Sequence, residues 1–243
     1  MRTLLAALLA LAAGGPALAQ DAPADTLVLT PGDGALTTDW LTPGTESYTV
    51  RLVEPMQQNV GTVTETIAID GGTVTRVTTV SVPMQGLTQT DSLVADAATF
   101  APRSHNSTGG AVDVAVEFMP EGVAGMVTPR AGAATPVALM TDAPVFDSGW
   151  IGEVAQSLPL AEGLVARVAA FSAQSTDAPV QAVLSVTGQE AVATAGGDRT
   201  AWVVEADLGT AQATYLVDAE TRALHATRFS PQPGVTIEIA PAE

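Results

Sequence analysis

Short runs of alternating apolar and polar residues extend along most of the chain, and they predict β-strands. The clearest run is 111–118, where valine and phenylalanine alternate with alanine and acidic residues, so one face is buried and the other is wetted. Similar Val-, Thr- and Ile-rich runs recur, and the Asp-Gly-Gly turn at residues 70–72 is predicted to join two of them as a hairpin. Their spacing predicts a mainly β fold, in which a curved antiparallel sheet forms an incomplete barrel over residues 47–240.

One segment has the apolar spacing of a helix instead. Asp147 or Ser148 can cap its first turn and Pro159 ends it, so we predict a helix over about residues 148–158, packed on the concave face of the sheet. Its apolar stripe either contacts a ligand held in the hollow or simply fills the core. The predicted ligand-contact residues are Trp150, Ile151, Val154 and Leu158.

The N-terminus has the pattern of an export signal. One basic residue, Arg2, precedes an apolar stretch at 4–13 and a small-residue motif at 17–19, which predicts a cleavable signal peptide over residues 1–19. Because the stretch is shorter than the roughly 20 residues needed to span a bilayer, we expect a periplasmic protein without stable membrane insertion. Residues 20–46 are interrupted by Pro-Gly and Asp-Gly pairs and are predicted to form a loose N-terminal segment.

Composition excludes several classes of partner and chemistry. The formal net charge is −17 and the chain has no lysine, so phosphate contacts are too few for a nucleic-acid partner. Without cysteine or lysine, thiol nucleophiles, Schiff bases, iron–sulfur clusters and phosphate-loop lysines are absent, and so is a lipid anchored on an N-terminal cysteine. We therefore predict no cofactor.

The two histidines offer little catalytic or metal-binding potential. His105 and His225 lack the spacing of a metal motif, and zinc requires three or more converging ligands, so no metal site is predicted. His105 could form a hydrolase dyad with Ser104 or Ser107, but the chain has no Gly-x-Ser-x-Gly elbow. A polar histidine near a strand end is the favoured interpretation.

Three carboxylates cluster around the predicted helix start. Asp142, Asp147 and Glu153 could supply a paired acid and base, as in glycosidases. Helix capping and the favourable interaction of an acid with the helix dipole explain them more simply. We therefore favour a protein that is not an enzyme.

Three stretches resemble a family of exported bacterial proteins of unknown function. They are Asp142 with the helical stripe and 158–163, then 186–192, and finally 215–222. That family resembles in fold the periplasmic lipoprotein carriers of the Lol pathway, whose curved sheet forms an incomplete barrel closed by helical lids around an apolar cavity. The resemblance covers roughly 47–240 and implies a lipoprotein-carrier-like fold, with no catalytic residue.

Three functions remain open. The leading hypothesis is a non-catalytic periplasmic protein that binds an apolar ligand or a partner polypeptide in the hollow under the helix. The second is a structural or assembly protein of the cell envelope, which meets an envelope protein by strand addition. The third is an acid/base hydrolase. An open apolar pocket larger than a few hundred Å³ favours the first hypothesis, and a plugged concave face favours the second.

Overall fold

The computed structural model describes residues 26–209 and 211–242, so the predicted signal peptide at 1–19 lies outside the described residues. Within these ranges the chain forms sixteen strands, one short α-helix and two 3-10 turns. The strands are β1 Leu27–Leu29, β2 Gly44–Glu54, β3 Gln58–Asp70, β4 Thr73–Val82, β5 Leu87–Asp96, β6 Pro102–Thr108, β7 Val112–Met119, β8 Gly122–Pro129, β9 Thr135–Met140, β10 Phe146–Asp147, β11 Val165–Ser172, β12 Ser175–Thr194, β13 Gly197–Asp207, β14 Gln212–Asp218, β15 Leu224–Gln232 and β16 Val235–Pro241. The helix α1 is Ile151–Ser157, and the 3-10 turns are Pro83–Gln85 and Ser148–Trp150.

All sixteen described strands belong to one sheet. Its order is β1-β11-β12-β13-β14-β15-β16-β2-β3-β4-β5-β6-β7-β8-β9, with β10 paired to β11 beside this path. Neighbours run antiparallel, except that β1 and β10 lie parallel to β11. The sheet does not close into a barrel, and β16 pairs with β2, which joins the two halves of the chain. The predicted mainly β fold with a large curved sheet and one short helix is confirmed.

The predicted hairpin at residues 70–72 is present. Asp70 pairs with Thr73, and the two glycines between them have φ values of 53° and 78°. A two-residue hairpin turn of this type needs positive φ at both central positions, which glycine adopts at no steric cost. The turn sets the register of β3 against β4, and these two strands carry several of the charged residues described below.

Local signals define both ends of the helix. The Asp147 side chain accepts a hydrogen bond from the Gly149 N–H at 2.7 Å, which confirms Asp147 as a cap of the first turn. Leu158 is extended, with ψ of 151°, as expected for a residue that precedes a proline. At the same end Arg222 Nη1 donates to the Leu158 carbonyl at 2.9 Å, so the turn before β15 holds the helix C-terminus against the sheet.

The helix packs on the sheet through its apolar stripe. Trp150, Ile151, Val154, Ala155 and Leu158 are each at most 1% exposed. They belong to the largest core cluster, whose sheet side is rich in buried alanines from β11 to β14, and such small side chains allow a helix to approach closely. The buried alanines that these strands contribute to the cluster are Ala166, Ala170, Ala182, Ala206 and Ala213.

The described part of the N-terminal segment, from residue 26, also contacts this core. β1 pairs with β11, and the segment contributes Leu29, Leu36 and Leu41 to buried positions. Trp40 Nε1 donates to Ser157 Oγ at 3.1 Å, beside the end of the helix. These three leucines are therefore part of the core, which was not expected of a loose segment. Within the described residues, no helix combines the length and apolarity required to cross a bilayer.

Candidate functional site

A cavity of about 810 Å³ lies beneath the helix. Its wall comes from the inward side chains of β2 to β7 and of β14 to β16, and Gly149, Gly152, Glu153 and Gln156 close it from the helix side. Ligand pockets in proteins commonly measure about 300–1,000 Å³. The concave face is therefore plugged on one side by the apolar stripe of the helix and open on the other.

A row of polar side chains crosses the floor of the cavity. Strand register places Glu46 opposite Glu65, Glu65 opposite Thr78, Thr78 opposite Asp91, and Asp91 opposite Ser107. We call these five residues the polar row. Directly opposed side chains in adjacent strands have Cβ atoms about 4.5–5.5 Å apart, so the row is continuous over β2 to β6.

Apolar side chains flank the polar row on both sides. On β3 to β5 they occupy alternate positions of the strands that carry the row, which the pleat turns toward the same face, and β7, β15 and β16 contribute the others. Those lining the cavity are Val63, Ile67, Val80, Leu93, Val114, Leu224, Phe229, Ile237 and Ile239. The cavity thus offers a broad apolar surface with a narrow polar band across it.

Arg76 on β4 forms the first charged cluster of the site. Its Nη1 donates to Glu153 on the helix, its Nη2 donates to the Gly149 carbonyl, and its Nε lies 3.8 Å from Glu65 Oε2. The guanidinium also stacks 4.9 Å from the Trp150 ring centroid. The single guanidinium therefore lies beside two carboxylates, Glu65 and Glu153. The second oxygen of Glu153, Oε2, is buried without a hydrogen-bond partner.

His105 on β6 forms the second cluster. Its Nδ1 donates to Asp147 at 2.9 Å, and its Nε2 faces Asp91 at 3.7 Å, an ion-pair distance. Burial alone would lower the pKa of His105, but the two carboxylates outweigh it and raise the pKa to about 9. The nearby His105, Ser107 and Gln89, of which Gln89 donates a hydrogen bond to its carboxylate at 3.0 Å, lower the pKa of Asp91 against the opposing effect of its burial. The imidazolium is therefore charged at neutral pH between two aspartates.

The other titratable groups of the cavity report a negative environment. Burial raises the pKa of Glu65, and the repulsion from Glu153 and Glu46 adds to it, against the attraction of Arg76. Burial raises the pKa of Tyr48, as does the 2.6 Å hydrogen bond that its hydroxyl donates to Glu46. Both shifts favour the protonated form, as expected where carboxylates outnumber cations.

The raised pKa of His105 makes folding stability depend on pH. Because the folded value of about 9 exceeds the ordinary 6.5, the stabilisation is complete below pH 6.5 and is lost as the pH rises through 9. We expect the free energy of unfolding to fall by up to about 3 kcal/mol over this interval, measured by urea denaturation. His105→Gln should remove most of this dependence. An unchanged slope in that variant would contradict the assignment.

The predicted ligand-contact residues do not line the cavity. Trp150, Ile151, Val154 and Leu158 lie in the core between helix and sheet, each at most 1% exposed. The other side of the helix, Gly152, Glu153 and Gln156, faces the cavity instead. Helical spacing correctly identifies which side of the helix is most apolar. That side packs on the sheet because it has more apolar area to bury than the side that carries Gly152, Glu153 and Gln156.

The structure separates the three carboxylates around the helix start. Asp147 is bound to His105 and to the helix N-terminus, and Glu153 is bound to Arg76. Asp142 lies in a different groove, on the outer side of β9 and β11. His225, the other histidine, lies on β15 and contacts Asp218, the last residue of β14, at 2.8 Å. Among the described residues, no group of three or more His, Asp or Glu side chains is arranged to hold a metal ion.

Sequence reasoning missed the polar row and Arg76. The sequence does contain a signal for Glu65 and Arg76, because each occupies a position that alternation assigns to the apolar side of its strand. Glu65 stands between Val63 and Ile67 on the same side of β3, and Arg76 follows Val74 on the same side of β4. A charged residue on that side points inward. Two or three such residues on neighbouring strands predict a polar site in an otherwise apolar face.

Comparison with known proteins identifies the family. The family model described as a protein of unknown function, DUF3108, matches residues 47–230. The crystal structure of the hypothetical lipoprotein YmcC from Escherichia coli is similar over 83% of this chain and 87% of that chain, at 13% identity and a TM-score of 0.37. No curated protein matches the sequence. The predicted membership in a family of unknown function is confirmed: the chain belongs to the DUF3108 family.

Proposed function

We propose that this protein binds an apolar or amphipathic ligand, or an apolar segment of a partner polypeptide, in the cavity beneath the helix and does not catalyse a reaction. The observation that carries the proposal is the open space of about 810 Å³ beside a helix whose own apolar stripe is already buried. The ligand then contacts the cavity side of the helix and the apolar side chains that flank the polar row.

The arrangement of the candidate catalytic groups supports a non-catalytic role. His105 and Ser107 lie two residues apart on one strand, which separates them by about 6–7 Å along the strand, and a dyad needs a direct hydrogen bond. Ser107 Oγ instead accepts from Gln89 at 3.2 Å. Ser104 has the opposite strand phase, so the pleat directs it to the other face.

A neutral apolar fluorescent probe, N-phenyl-1-naphthylamine, tests the cavity directly. We expect saturable binding to the wild type and at least a tenfold weaker affinity for Thr227→Trp, because Thr227 lines the cavity between Tyr215 and Ile239 and an indole there occupies its space. Thr214→Trp is the matched control, since Thr214 lies on the same sheet with the opposite strand phase, outside the cavity. Absence of saturable wild-type binding, or equal binding by both variants, would refute the proposal.

The alternative of an envelope assembly protein has one observation in its favour. Met119 and Met140 both lie opposite Gly122 in adjacent strands, and they are 46% and 70% exposed. β9, which carries Met140, ends the hydrogen-bonded path of the sheet and could accept a further strand. A failed probe titration with a well-folded wild type would favour this function.

A periplasmic location belongs to the same proposal. Its support is the predicted signal peptide at residues 1–19, and the acidic, lysine-free composition is compatible with an exported protein.

A further inference from the structure

The charged groups of the cavity suggest which head group its ligand carries. This inference rests on the proposed binding function and concerns the same cavity. Two cations, Arg76 and His105, face the site, and each lies between two carboxylates. Both cations already contact groups of the protein: Arg76 donates to Glu153 and to the Gly149 carbonyl, and His105 donates to Asp147. Their remaining buried N–H groups, Arg76 Nε and His105 Nε2, make no hydrogen bond, but they lie 3.8 Å and 3.7 Å from Glu65 and Asp91, so an anion approaching them would also meet these carboxylates.

The carboxylates, in contrast, are incompletely compensated. Glu46 and Glu65 are directly opposed across β2 and β3, an arrangement that destabilises a sheet when no cation separates the two charges. The partner of Glu46 in the described structure is the neutral Tyr48 hydroxyl. The raised pKa of Glu65 agrees with this excess of negative charge.

A second and independent observation comes from the helix. Glu153 is 4% exposed and lines the cavity, yet its Oε2 has no hydrogen-bond partner. A buried carboxylate oxygen without a donor costs free energy, and native structures seldom leave one unexplained. A donor supplied by a ligand would satisfy it.

We infer that the cavity binds an amphiphile whose head is a primary ammonium or a similar cationic hydrogen-bond donor, held between Glu65, Glu153 and Glu46. The apolar body of the ligand then lies along the side chains that flank the polar row. A cationic donor fits because it separates the opposed Glu46 and Glu65 charges and donates to the free oxygen of Glu153. An anionic head would meet the four carboxylates that line the cavity and two cations that already face carboxylates.

Three probes with the same twelve-carbon tail test this inference: dodecylammonium, dodecyl maltoside and dodecyl sulfate, each below its micellar concentration. Isothermal titration calorimetry at pH 7 should give dodecylammonium an affinity at least tenfold higher than dodecyl maltoside, with dodecyl sulfate the weakest. The double variant Glu46→Gln/Glu65→Gln should lose that tenfold preference and keep its affinity for dodecyl maltoside. It retains Glu153 and Arg76, and circular dichroism and a thermal melt establish that it folds.

Glu117→Gln/Glu121→Gln is the matched control, because both are exposed acids outside the cavity and their replacement removes the same two charges. Loss of the preference in this control as well would assign it to the overall charge and overturn the inference. Equal affinity for the three heads, or tightest binding of dodecyl sulfate, would also overturn it while leaving cavity binding intact. Absence of binding by all three, together with a failed naphthylamine titration, would refute the proposed function itself.

Discussion

Replacement of Trp150 by alanine is expected to lower the free energy of unfolding by about 3–5 kcal/mol, the usual cost of truncating a fully buried tryptophan. The Trp150 ring is 0% exposed and packs against Phe100, with ring centroids 5.5 Å apart. It also lies under the Arg76 guanidinium. The substitution therefore removes core packing and weakens the support of a buried charge. Denaturation in urea, followed by circular dichroism, measures the change.

Trp202→Ala provides the comparison for this experiment. Trp202 on β13 is half-buried, so its truncation should cost clearly less than that of Trp150. A loss below about 1 kcal/mol in Trp150→Ala would contradict its assignment to the core, and would return it to the ligand-contact role predicted from the sequence.

Replacement of Arg76 by methionine is expected to cost about 3–5 kcal/mol of folding stability, because it leaves buried carboxylates without their cation. The Arg76 side chain is 13% exposed and that of Glu153 is 5% exposed, so water screens this pair poorly. The loss should be smaller at low pH, where the carboxylates take up protons. Urea denaturation at pH 7 and pH 4 measures both values.

The double variant Arg76→Met/Glu153→Gln tests whether the cost comes from the orphaned charge. It should recover a substantial part of the lost stability, since glutamine carries no charge to bury. Arg199→Met is the surface control: Arg199 and Glu220 are 49% and 80% exposed, and breaking such a pair costs less than about 1 kcal/mol. Equal losses in the buried and the surface variant would contradict the assignment of Arg76.

The local part of this fold could be predicted from the sequence. Alternation identified the strands, the Asp-Gly-Gly turn identified the β3–β4 hairpin, and the cap at Asp147 and the break at Pro159 bounded the helix. These features depend on neighbouring residues, whose conformational preferences act over a few positions. The apolar stripe of the helix was predicted either to contact a ligand or to fill the core, and it lies in the core between helix and sheet.

The site itself depends on long-range register, which local patterns do not contain. Whether Glu65 lies opposite Glu46, or Arg76 reaches Glu153, is decided by strand pairing and by where the helix is placed on the sheet. The sequence therefore assigned the ligand to the most apolar surface available. In the structure that surface is buried against the sheet, and the less apolar face of the helix lines the cavity.

The pairing of β16 with β2 has a consequence for how the molecule matures. Residues 235–241 must find a partner strand far earlier in the chain: Thr236 pairs with Glu54, 182 positions before it. Until they do, β15 and β2 have no common neighbour and the hollow lacks one wall. Sheets closed by such distant contacts assemble slowly. The cavity is accordingly a late product of folding, completed only when β16 has paired with β2.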